Sequence, residues 1–185
     1  MDGAFYNDLR EPFIAADVAA VTLASTDKAL YPPSNFPVLG GQYFARPGKK
    51  IRVRLFGKIT TGATPGNLTI DVYYGDGTDA NGVLLASSAA VALTASQTNL
   101  SWTADILVHC RSIGSAGTLF VTGEVGANVG VIASTLQPVL VPASAAVVSG
   151  ACDLTAAKII SVQAKRSGST AETMTVQDME VIALN

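Results

Sequence analysis

The chain has 185 residues, a formal net charge of -2 and only 14% charged side chains, against about 25% in typical soluble domains. That length suits one domain with a short arm, and it supports a buried core without metal or disulfide staples. The near-neutral balance gives no bulk nucleic-acid signature. The apolar region 129–151 is broken by Gln137, Pro138 and Pro142, which excludes a membrane helix there, and the first residues lack the basic start and apolar centre of a signal peptide.

Residues 1–15 carry aromatics and both charge signs without alternation, and they read as an extended N-terminal arm. No later segment holds a helical period over the ten or more residues a helix needs. Strand signals dominate instead. The run 16–25 is β-branched, Tyr31-Pro32-Pro33 marks a turn, and 42–45 reads as a short strand. The clearest strand is 49–61, with Ile51, Val53 and Leu55 on one face and Arg52, Arg54 and Lys58 on the other.

After a turn at 64–67, Leu68, Ile70, Val72 and Tyr74 alternate with Thr69, Asp71 and Tyr73. The two runs are close enough to form a hairpin, which would set Asp71 on the outer face with Arg52 and Arg54. Residues 75–82 (GDGTDANG) read as a polar loop, and 82–91 as a strand of small residues. From 99 to 111 Leu100, Trp102, Ala104, Ile106, Val108 and Cys110 share a face opposite Asp105, His109 and Arg111. A turn at 112–117 leads to strands at 118–126 and 129–134, then to a Pro-bounded edge candidate at 136–141. Strands at 158–166 and 173–184 read as a closing hairpin around 167–171, with a bulge near Asp178 where Met179 and Val181 fall out of phase with Met174 and Val176.

Eight to ten strands at this spacing describe an all-β protein, an antiparallel β-sandwich of jelly-roll type filling residues 16–185 behind the arm. No catalytic constellation emerges. His109 is the only histidine, and Asp105 lies four residues along an extended strand, about 13 Å away, too far for a triad's orienting hydrogen bond. Cys110 and Cys152 have no metal-ligand spacing and read as buried thiols, with a disulfide open if their strands pair. Asp76, Asp79 and Asn81 offer calcium-type oxygens, but without EF-hand spacing they read as an exposed loop. Trp102, on an apolar face, reads as core. Tyr31, Phe36, Tyr43 and Phe44 form the one candidate cluster for sugar stacking.

Six of the twelve basic residues, Arg46, Lys49, Lys50, Arg52, Arg54 and Lys58, fall in one stretch. They read as a solvated face paired with acids such as Asp71, as a subunit interface or, less well for want of aromatics, as a nucleic-acid surface. The N-terminal segment sets Asp2, Asp8, Glu11 and Asp17 against Arg10 alone. Its acids and its aromatics Phe5 and Tyr6 make it a candidate to dock on the basic strand of another copy; a frayed terminus is the plain alternative.

Two stretches, ALYPPSNFPVLGGQYFARPGKKIRVRLFGKITTGATPGNLTIDVYYGDG and KIISVQAKRSGSTAETMTVQDMEVIALN, resemble small virion proteins of tailed bacteriophages, of the head-decoration and minor-capsid kind. The resemblance extends from about residue 18 onward and lies in overall texture. It implies a β-sandwich subunit, a symmetric homo-oligomer (often a trimer) and attachment to the major capsid protein or other virion proteins. It carries no active-site residue. The expectation is therefore a non-enzymatic virion protein, assembled in the host cytoplasm, that cements the head. It would have no cofactor and no metal, and neither nucleic acid nor membrane as partner. A spike- or fibre-associated module binding host glycans is the alternative.

Overall fold

The computed structural model describes residues 17–41, 43–128, 130–132 and 138–184. The arm, with Phe5 and Tyr6, lies outside the described residues, as do 129, 133 and 134 of the strand expected at 129–134; its described residues 130–132 form a turn that ends in an isolated bridge from Ile132 to Leu93.

Among the described residues eleven strands form two antiparallel sheets. They are β1 (Val21–Thr22), β2 (Lys28–Ala29), β3 (Lys50–Thr60), β4 (Asn67–Gly75), β5 (Val83–Ser87), β6 (Val91–Ala92), β7 (Leu100–Ser112), β8 (Thr118–Ala127), β9 (Val139–Val141), β10 (Ile159–Arg166) and β11 (Thr173–Leu184). The six-stranded sheet runs β1-β11-β3-β7-β8-β9, and the five-stranded sheet runs β2-β10-β4-β5 with β6 also on β4. Alternation explains the core between them. Ile51, Val53 and Leu55 of β3, Ile106 and Val108 of β7, and Leu119 and Val121 of β8 point inward. They meet Ile70 and Val72 of β4 and Ile160 and Val162 of β10 in one apolar cluster. Burying such side chains contributes roughly 1.5–3 kcal/mol each.

The pairing is nested: β3 pairs with β11 and β4 with β10. That wraps the two ends of the chain around each other as a jelly roll does, while β7, β8 and β9 add a meander in the middle of the sequence. Two expected hairpins are corrected by this topology. β3 and β4 are consecutive but lie in opposite sheets, and so do β10 and β11. The short connections 61–66 and 167–172 cross the edge of the sandwich instead of turning within a sheet. They run side by side: the Ser167 N–H donates to the Asn67 carbonyl at 3.0 Å, and a Cβ on Gly66 would meet Gly168 N at 2.1 Å. Glycine at both positions lets the two crossings touch.

Smaller corrections have local causes. Among the described residues of 16–25 only Val21–Thr22 forms a strand, at the sheet edge on β11, with the Val18 and Leu23 N–H groups donating to the Val176 and Glu172 carbonyls on either side. Residues 43–45 make a turn, because Phe44 is drawn into the core while the Tyr43 hydroxyl donates to the Lys50 carbonyl at 3.2 Å. The bulge lies where the phase break set it, between Val176 and Asp178. Cys110 and Cys152 are buried free thiols, each raised above the usual thiol range by burial.

Candidate interaction surface

The outer face of the six-stranded sheet collects most of the charged residues that the sequence singled out. Register places Glu180, Arg54, Asp105 and Glu124 in one row across β11, β3, β7 and β8. Arg52, whose direct partner is Leu107, reaches diagonally to Asp105 and binds it with both ends of its guanidinium, Nε to Oδ1 at 2.7 Å. Arg54 lies 3.5 Å from Asp105 and 3.2 Å from Glu180. Lys58 holds Asp17 at 2.9 Å, and with Gln177 it keeps that carboxyl below the usual carboxylate range. The basic strand face is thus neutralised within the chain. Each such surface pair contributes only about 0–1 kcal/mol. An open depression of about 460 Å³, lined by Leu107, Thr122 and Leu184 with Arg52, Asp105 and Glu124, lies among them.

Two of the expected members do not belong to this face. Asp71, expected beside Arg52, lies in the other sheet and is fully buried. Lys49 shares the parity of Ile51 and is buried, with its ammonium 5.1 Å from the Tyr43 ring centroid. Lys50 and Arg46 remain accessible, Lys50 at the start of β3 and Arg46 on the turn before it. Lys50 is the register partner of His109. Burial, then Lys50 and Arg111, lower the His109 imidazole below its usual range. His109 packs edge-on against Phe120, and Asp105 is taken by the arginines, so no triad forms around this histidine.

A polar cluster on the outer side of the five-stranded sheet has no counterpart among the sequence expectations. Asp71 accepts from the Ser87 hydroxyl and from Lys165, and Lys165 also lies 3.5 Å from Asp27. The Tyr73 hydroxyl donates to Asp27 at 2.7 Å. Burial, then the Asp27 carboxyl, push Asp71 above the usual carboxylate range against the pull of Lys165 and Ser87. With Asp71 fully buried no substrate reaches it, and the cluster acts to pin the segment before β2 across the sheet. Gln163, also buried, does the same for the 76–82 loop: it accepts from Ala80 N at 2.7 Å and donates to the Thr78 carbonyl at 3.0 Å.

The loop's two carboxylates are occupied. Asp76 accepts from Thr78 and Asn81, and Asp79 accepts from Lys28 and the Ala29 N–H. Among the described residues no group of three or more His, Cys, Asp or Glu is placed to hold a metal ion. The aromatics are equally committed: Trp102, Tyr31, Phe36 and Phe44 are buried, and Tyr43 packs against the core.

No family model matches the chain, and no curated protein matches it. Among solved structures it is similar to a legume lectin-like domain from Entamoeba histolytica, at 8% sequence identity and a TM-score of 0.32, over 89% of this chain and 97% of that one. The chain is an antiparallel β-sandwich.

Proposed function

We propose that this chain is a non-enzymatic structural protein of a tailed-phage virion. It decorates the head as a symmetric homo-oligomer, a trimer, bound to the major capsid protein, and cements the shell. One observation carries the reading. The two stretches that resemble phage virion proteins supply β3, β4, β10 and β11, and these strands pair with one another as β3 with β11 and β4 with β10. The resemblance therefore falls on the paired frame of both sheets and not on scattered loops. The charge-poor composition supports the same reading. A decoration protein holds its shell through apolar area repeated at many symmetric contacts, so weak single contacts sum to firm attachment.

The glycan-binding alternative needs an exposed aromatic platform, and the four aromatics that would supply it are committed to the core and its margin. The test uses heads of the phage that encodes the chain, prepared without this protein. Added full-length chain should co-sediment with them saturably and raise the temperature at which they lose DNA. Heads that bind none of it would overturn the proposal.

A further inference from the structure

Along its length the outer face of the six-stranded sheet changes character. In the middle Arg52, Arg54 and Lys58 each hold an acid. Where β3 begins and β7 ends, cations gather without one. Lys50, paired in register with His109, and Arg111, two residues further along β7, make no ion pair among the described residues. Exposed Arg46 stands on the turn that Gly48 N–H ties to the Cys110 carbonyl at 2.8 Å.

Apolar surface is interleaved with these charges. The Arg111 guanidinium lies 4.3 Å from the Phe120 ring centroid, and the His109 ring stands 5.9 Å from it. Val148 bridges to Phe120, and Val147 and Val148 are 70% and 51% exposed. Bare cations set among apolar groups suit a partner that is both acidic and rich in apolar side chains.

The chain contains such a segment. Residues 1–16 set Asp2, Asp8 and Glu11 against Arg10 alone, and they carry Phe5, Tyr6, Phe13 and Ile14. The segment joins the sandwich at Asp17, which Lys58 holds near the opposite end of β3. Lys58 and Lys50 are separated by roughly 26 Å at ~3.3 Å per residue. Sixteen residues span up to about 50 Å, enough to leave their own sheet and cross to a neighbouring one.

We propose that residues 1–16 of one copy dock on the Lys50, His109, Arg111 and Phe120 end of the next copy. The contact is heterologous, arm to patch, and closes into a ring. It rests on the multi-copy reading above and names the surface through which the copies join.

The test uses the full-length chain in native mass spectrometry and light scattering. The unaltered protein forms a closed oligomer that dissociates as salt is raised, because exposed charge pairs are screened. A patch reversal (Lys50→Glu with Arg111→Glu) and an arm reversal (Asp2→Lys, Asp8→Lys and Glu11→Lys) each give monomers with an unchanged β-sheet circular dichroism spectrum. Mixing the two reversals in one chain restores the oligomer. The arm reversal alters no residue of the described fold, so a folding defect does not explain its monomer. A monomeric unaltered chain, an oligomer that survives both reversals, or a combined variant that stays monomeric would overturn the contact. A monomeric unaltered chain would also contradict the trimer of the proposed function, whereas an oligomer that survives both reversals overturns the contact alone; binding to heads is read in its own experiment, so the docking contact and the virion role fail separately.

Discussion

Lys165 stands between two carboxylates, and that position makes it the residue whose loss the fold feels in a pH-dependent way. Asp71 has no exposure and Lys165 is partly exposed, so removing the ammonium leaves buried acids with a partner gone. Lys165→Met costs about 2 kcal/mol at neutral pH, below the ~3–5 of a fully buried pair because the ammonium keeps contact with water. The sign with pH follows from the raised Asp71 carboxyl. A carboxyl raised in the fold favours the protonated native state. Its stabilisation is present below the unfolded pKa of about 3.9 and is lost as pH rises through the folded value. Urea midpoints should therefore show Lys165→Met recovering toward the unaltered protein as pH falls from 7 to 4, and Asp71→Asn showing a flatter acid profile than the unaltered chain. A deficit in Lys165→Met that is the same at every pH would contradict this account. At this scale the sequence was half legible. Parity along β3 sent Arg52, Arg54 and Lys58 outward, and the same parity, read one step earlier, sends Lys49 inward with Ile51. The Asp27, Asp71 and Lys165 cluster had no local signal, because its members are brought together by strand pairing across about a hundred residues of sequence.

The strands themselves were legible because alternation is a local property: β3, β4, β7, β8, β10 and β11 fall where side chains change face every second residue. Which sheet each strand joins was not legible. A crossing connection in a sandwich is as short as a hairpin loop, so 61–66 and 167–171 read as turns within a sheet. Two substitutions test the elements as the structure sets them. Glu172 is fully buried at the end of the second crossing, with its carboxylate 2.9 Å from Arg166 Nε, and the same Nε donates to the Leu23 carbonyl at 2.9 Å. Glu172→Gln keeps the shape and removes the charge, leaving a mostly buried guanidinium uncompensated. It should lower stability by about 3 kcal/mol and speed amide exchange at Leu23, whose N–H donates to the Glu172 carbonyl. Unchanged exchange there would argue that the pair does not hold the crossing. On β3, a Cβ at Gly57 would meet the Thr175 carbonyl oxygen at 2.0 Å and Trp102 Nε1 at 2.8 Å, and Trp102 donates to the Lys58 carbonyl at 3.2 Å. Because backbone cannot yield as a side chain does, Gly57→Ala should cost roughly 2 kcal/mol or more and shift the Trp102 fluorescence spectrum. A variant with unaltered emission and melting temperature would show that the strands separate there at little cost.

Across the whole molecule the sandwich presents two unlike faces. The outer side of the five-stranded sheet is covered by its own strap and loop, fastened through Asp27, Asp71 and Gln163. The outer side of the six-stranded sheet carries neutralised charges in its middle and bare cations among apolar groups at one end. That asymmetry suits a subunit that turns one face to its neighbours. The assembly is where the account is most exposed to test. The most direct measurement is the copy number of this chain in purified virions, by quantitative mass spectrometry against the major capsid protein. A shell-covering cement protein predicts hundreds of copies per particle. A few copies would move the chain to a vertex or the tail, and none at all would contradict the virion role.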